Sequence, residues 1–251
     1  KECTAFYGLT VTEYLPKRIE LVGDMVQNSA FGEEALQKEL GVILEEIDMY
    51  DDSPEDLVHE KLQEAVWQEH PLSYLISGEK TSVDNIDRND LLAFYHKYYT
   101  GSNIVLSLAG TAECSDDEIV ALFETLFSKI PAGKTHEQEL TRPSYQVTTL
   151  QIDKKIEQLH MNIAFEAINA LSSERYVAGV FNAAFGGSDN SLLFQNIREE
   201  QGLAYSVYSD QNNYFMAGLF HVDITVNPNQ AARGVESVVK LIDEVKQTEF
   251  T

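Results

Sequence analysis

Only two cysteines occur in 251 residues, Cys3 and Cys114, with no Cys-x-x-C and no histidine at zinc-finger spacing. That excludes a zinc finger and leaves two ordinary thiols, as in a reducing compartment. No run of about 18 apolar residues is present, so no transmembrane helix and no membrane partner are expected. Positive charge is scarce: 18 Lys and Arg stand against 41 Asp and Glu, a formal net charge of −23. Phosphate contacts need clustered basic residues, so nucleic acid is not an expected partner. The acidity favours neutral or basic peptides, or simply keeps the chain soluble. Histidine pairs are missing too. The six are His59, His70, His96, His136, His160 and His221, and no two lie three to five residues apart. His59 opens HEKLQ, where Gln63 replaces the second histidine of a His-Glu-x-x-His metalloprotease helix, and it reads as a surface residue.

What is present suffices for two ordinary domains, since 43% of the residues are hydrophobic. The first half reads as helices. Residues 12–29 follow a Thr12 cap with Pro16 in the first turn and Ile19, Val22 and Val26 as the stripe. In LQKELGVILEEIDMYDDSPED, Leu36, Leu40, Ile43, Leu44 and Ile47 recur at helical spacing. Glu39 and Glu46 are two turns apart on that helix, at the edge of its stripe. Such a pair is either a solvated boundary or a site that wants anionic oxygen near the core. Ser53-Pro54, with Asp56 as the third-position acid, starts a helix running to about Trp67. Asn85 and Asp87 cap a helix over 90–99, and Ser115 starts one running to Leu126. Residues 1–8 read as the tail of a strand, and 103–108 (NIVLSL) as a buried strand.

Residues 131–145 lack periodicity and carry Pro, Gly and polar groups, which marks a boundary. The expected division is a first domain over 1–133, a linker over 134–145 and a second domain over 146–251. The second reads as strands 147–152 and 160–165, a helix over 173–185, a Gly186-Gly187 turn and a helix over 192–200. Strands 205–209 and 218–226 and a helix over 229–246 follow, with QTEFT at the end. The fold class is α+β, two similar domains of antiparallel or mixed sheet packed with helices. Arg198 and Tyr205 lie seven apart in REEQGLAY, at a helix end and a strand start, everyday features by themselves.

The segments ECTAFY, ELGVILEEIDMYDDSPEDLVHEKL, HPLSYLISGEKTSV, IDRNDLLAFYHKYYTGSNIVLSLAG and GGSDNSLLFQNIREEQGLAYSVYS span nearly the whole chain. In them it resembles the pitrilysin or insulinase-like (M16) zinc metallopeptidases, whose motif is His-x-x-Glu-His. The resemblance implies that Glu46 is the third zinc ligand and that Glu39 supports the metal site from behind it. It implies that Arg198 and Tyr205 donate to the scissile carbonyl oxygen, and that Tyr7 lines the substrate cleft, where the residues alone suggest a core aromatic. The His-x-x-Glu-His motif is absent, and family spacing puts it roughly 75 residues before Glu46, upstream of residue 1. The expectation is therefore an internal piece of a zinc endopeptidase acting on peptides or presequence-like segments in a chamber, inactive by itself. A homodimer or a paired M16-like subunit would complete it, in a bacterial-type cytoplasm or an organelle matrix. A non-catalytic chamber-lining or assembly half, or a stand-alone interaction domain, are the other readings. The chain departs from the family at Leu192-Leu193-Phe194, where many relatives have Arg-Leu-Phe, and at Gly186-Gly187-Ser188, where they have three glycines.

Overall fold

A computed structural model describes residues 2–134 and 141–247. His136, half of the expected linker (135–140) and the last four residues lie outside the described residues. The chain divides into two compact units, one formed mainly by residues 3–45 and 79–139, the other by 46–78 and 140–251. The class is α+β.

In the first unit, α1 (Leu15–Gln27) packs on α6 (Asp116–Phe127). Thr12–Tyr14 forms a separate 3-10 turn before α1, so the helix begins three residues beyond the expected cap, with Pro16 in its first turn. Gln27 Nε2 donates to the Leu126 carbonyl at 2.5 Å, tying the two helices together. The α5 helix (Arg88–Tyr98) starts on a capping box between Asp87 and Asp90, and α6 on one between Ser115 and Glu118. In both, the side chain before the helix accepts an otherwise unpaired N–H and the third-position acid returns the bond. Tyr95 Oη, on α5, donates to the carbonyls of Val26 and Gln27 at 2.8 and 3.0 Å. A four-residue helix, α4 (Lys80–Val83), precedes α5.

Neither 2–8 nor 103–108 is a strand, which corrects two expectations. A strand needs a ladder partner, and among the described residues nothing pairs with either segment. Val105 is 91% exposed as a result. Residues 147–152 behave likewise, and Val147 is 96% exposed.

The second unit is organised by a sheet of order β1-β3-β2, all antiparallel: β1 is Leu159–Ala167, β2 Ala204–Asn213 and β3 Gly218–Val226. Alternation sorts the central strand: Phe220, Val222, Ile224 and Val226 face one way, Leu219, His221, Asp223 and Thr225 the other. The apolar face is covered by α7 (Arg175–Phe185), a π-helix (Phe194–Glu200) and α8 (Ala231–Gln247). Phe185, Leu193, Ile197, Val222, Ile224, Val226 and Val238 form its core and are sealed from solvent. The other face lies under α3 (Pro54–Trp67), whose Ser53 cap accepts from the Asp56 N–H at 3.3 Å. At one end of that face Val66, Trp67 and Leu72 pack on Tyr214, Ala217 and Leu219. Its middle is polar.

Candidate functional site

The acidic pair lies on α2 (Glu33–Asp52). Leu36, Leu40 and Ile47 are buried along the expected stripe. Glu39 and Glu46 are exposed, two turns or about 10 Å apart along the axis. Neither makes a hydrogen bond or ion pair among the described residues, so each carboxylate is free to accept a hydrogen bond or a cation. Glu46 meets the need for one oxygen ligand, a part of the donor set that zinc requires. Among the described residues Glu46 belongs to no cluster of three or more metal-binding side chains.

Arg198 and Tyr205 flank one turn. Ile197, Leu203 and Ala204 are buried and anchor it, and Gly202, at φ 58°, reverses the chain between the π-helix and β2. Arg198 is exposed, its guanidinium carbon 4.7 Å from the Phe194 ring centre, and its side chain makes no hydrogen bond or ion pair among the described residues. Tyr205 is 56% exposed and lines an open groove of about 500 Å³ with Asn227, Asn229 and Gln230. Both side chains thus present donors to solvent from a firmly held backbone. Wide i→i+5 turns of this kind recur at functional positions. Tyr7, in the first unit, is 92% exposed in a segment without secondary structure, so it is not the core aromatic that the residues alone suggest. Among the described residues no hydrogen bond or ion pair links Glu46 with Arg198 or Tyr205.

A second constellation escaped the sequence reading. His59 is half-buried rather than a free surface residue: its ring stands over the polar face of the sheet, with Nε2 3.0 Å from Tyr208 Oη and 3.1 Å from Asp223 Oδ1. His221 Nδ1 lies 2.7 Å from Asp223 Oδ2, and Asn162 Nδ2 donates to Asp223 Oδ1 at 2.5 Å. Register explains the convergence, because Asn162 and Tyr208 are the two cross-strand neighbours of Asp223. Burial first, then the carboxylates of Asp223, Glu55 and Asp210, hold the Tyr208 phenol well above its ordinary range. The available signal was the alternation in HVDIT, which places His221, Asp223 and Thr225 on one face.

Comparison with known proteins supplies the family. The model described as "Peptidase M16 inactive domain" matches residues 85–251, and that described as "Insulinase (Peptidase family M16)" matches residues 1–80. The chain belongs to the M16 peptidase family. It is 32% identical, over its whole length, to 60% of the "Uncharacterized zinc protease YmxG" of Bacillus subtilis (strain 168). It is 34% identical, over 99% of its length, to 61% of an "Uncharacterized zinc protease" of Rickettsia bellii (strain RML369-C). The M16 chain therefore spans about 60% of the length of these curated relatives. Its fold matches the crystal structure of a peptidase M16 inactive domain from Pseudomonas fluorescens with a TM-score of 0.88. That match has 20% identity and covers 97% of this chain and 59% of the other. A chain of complex III2 from Candida albicans matches with a TM-score of 0.71 and 15% identity, covering 87% of this chain and 54% of that one. No helix among the described residues is long and apolar enough to cross a membrane.

Proposed function

We propose that the protein to which these residues belong is a zinc-dependent endopeptidase that cuts peptides or presequence-like segments within a chamber, and that residues 1–251 alone are inactive. The observation that carries this reading is Glu46, an exposed carboxylate without a partner, on a helix within the insulinase-matched segment. Relatives named zinc proteases support it. In this reading Glu46 and two histidines outside residues 1–251 hold the zinc, and Glu39 orients them. The metal, when bound, supplies an acidified water for attack on a peptide carbonyl. Arg198 and Tyr205 donate hydrogen bonds to that carbonyl oxygen as negative charge builds on it. Tyr7 lines the cleft in which the substrate extends as an added strand. A homodimer or an M16-like partner half completes the chamber, in a reducing cytoplasm or organelle matrix.

The test compares this chain with one extended upstream by about 80 residues, the reach set by the family motif. The longer chain is expected to bind one zinc and cleave peptides, and Glu46→Gln to abolish both. A longer chain that binds no metal would overturn the peptidase reading. It would favour a non-catalytic subunit.

A further inference from the structure

The polar face of the sheet gathers three side chains of the kinds that bind transition metals. One donor atom from each of His59, His221 and Asp223 lies within 4.8 Å of the other two. The two closest approaches are 2.7 and 3.1 Å, from His221 and His59 to opposite oxygens of Asp223. Four-coordinate zinc, with bonds of about 2.0 Å, spaces its ligands about 3.3 Å apart. Both imidazole–carboxylate contacts lie within about 0.6 Å of that spacing, and side-chain adjustment that brings all three donors to it would admit a cation.

Charge argues in the same direction. The Asp223 side chain is 7% exposed, and among the described residues no lysine or arginine pairs with it. A buried carboxylate demands positive charge nearby as well as hydrogen bonds, and a cation held between it and the two imidazoles supplies that charge. Asn162 sharpens the point. Its Nδ2 contacts Asp223 and lies 3.3 Å from His221 Nδ1, while its Oδ1 is buried without any hydrogen-bond partner. That oxygen needs either a donor or a metal. His221 also has an outer support: its Nε2 lies 3.0 Å from the Asn212 side-chain amide, whose oxygen, after rotation, accepts a hydrogen bond from Nε2–H when Nδ1 is given to a metal.

We propose that His59, His221 and Asp223 form a binding site for a divalent first-row transition cation, with Asn162 Oδ1 or Tyr208 Oη at the fourth position. Two imidazoles and a carboxylate suit zinc, iron or cobalt rather than calcium or magnesium. The ligands come from α3 and from the central strand, so the cation fastens the helix to the sheet. Glu46 takes no part, and this inference stands apart from the peptidase reading.

The test uses the 251-residue chain stripped of metal and titrated with Co²⁺, then Zn²⁺. Co²⁺ is expected to give the intense visible bands of a four-coordinate site, displaced by Zn²⁺ at about one equivalent per chain. Zn²⁺ is expected to raise the melting temperature and shift the ring resonances of His59 and His221. His59→Gln, which keeps a half-exposed polar side chain, should weaken binding about tenfold or more, and Glu46→Gln should leave it unchanged. Absence of both the bands and the ring shifts in the unsubstituted chain would overturn the proposal. So would binding that survives His59→Gln or is lost with Glu46→Gln.

Discussion

The two faces of the β1-β3-β2 sheet are built on opposite principles from the same strands. Toward α7, the π-helix and α8, β3 presents Phe220, Val222, Ile224 and Val226, and several of the side chains that meet them are fully buried. Toward α3 it presents His221, Asp223 and Thr225, buried almost as deeply but held by hydrogen bonds. The first face gains from area removed from water and tolerates any apolar side chain of the right shape. The second gains little net energy per bond, yet each group depends on its neighbour, because an unpaired buried polar atom is costly. One face therefore supplies stability, and the other specifies which helix sits where.

The largest expected effect tests the apolar face. Phe185 is sealed from solvent and lies in ring contact with Phe181 and Phe220. Phe185→Ala should cost about 3–5 kcal/mol in denaturant unfolding, the range for a truncated core aromatic. A cost below that of the polar-face substitutions would invert the comparison. Asp223→Ala comes next, since it strips partners from His59, His221 and Asn162 together. About 1–3 kcal/mol is expected, with broadened ring signals from both histidines, whereas a wet, surface-like face would show neither change.

That contrast also shows how much was legible in the sequence. Caps carry their signals locally, and Ser53-Pro54, Asp87–Asp90 and Ser115–Glu118 start helices where their spacing says. Strands are legible only as far as pairing follows. β1 and β3 stand where the apolar runs lie, but 103–108 and 147–152 have the same pattern and no ladder partner among the described residues, a non-local fact. The pairing of His59 with the buried His221 was hidden for a related reason. Alternation in HVDIT reads as one wet face, and the helix that covers it comes from far earlier in the chain, with His59 and Tyr208 149 residues apart. The spacing of Glu39 and Glu46, and of Arg198 and Tyr205, was legible as geometry, but spacing assigns no role without the family.

Ser53→Ala tests how α3 is held over the polar face. Loss of one capping bond should cost about 1 kcal/mol. It should speed amide exchange in the first turn of α3 and leave α7 and α8 unchanged. Equal effects on both faces would mean that the unit unfolds as one block and that the comparison does not extend to dynamics.

The smallest effect is confined to alkaline pH. Tyr214 lies at the end of the α3-covered face, its ring edge-on to Trp67 with centroids 6.0 Å apart. Burial, then the Glu2 carboxylate, pushes its phenol from the ordinary 10.0 up to about 12. The folded state thus favours the neutral phenol. Its contribution is fully present below pH 10, where both states keep the proton, and is lost as pH rises to about 12. Between those values the unfolded chain has released a proton that the fold retains, so stability falls with rising pH. Tyr214→Phe should change stability at neutral pH by about 1 kcal/mol or less and flatten the decline of the unfolding midpoint above pH 10. The residual slope then belongs to the other buried phenols, Tyr208 above all, whose shift in the same direction is larger. An unchanged slope in Tyr214→Phe would mean that water reaches the phenol, and that the Trp67 end of this face is as open as its middle is closed.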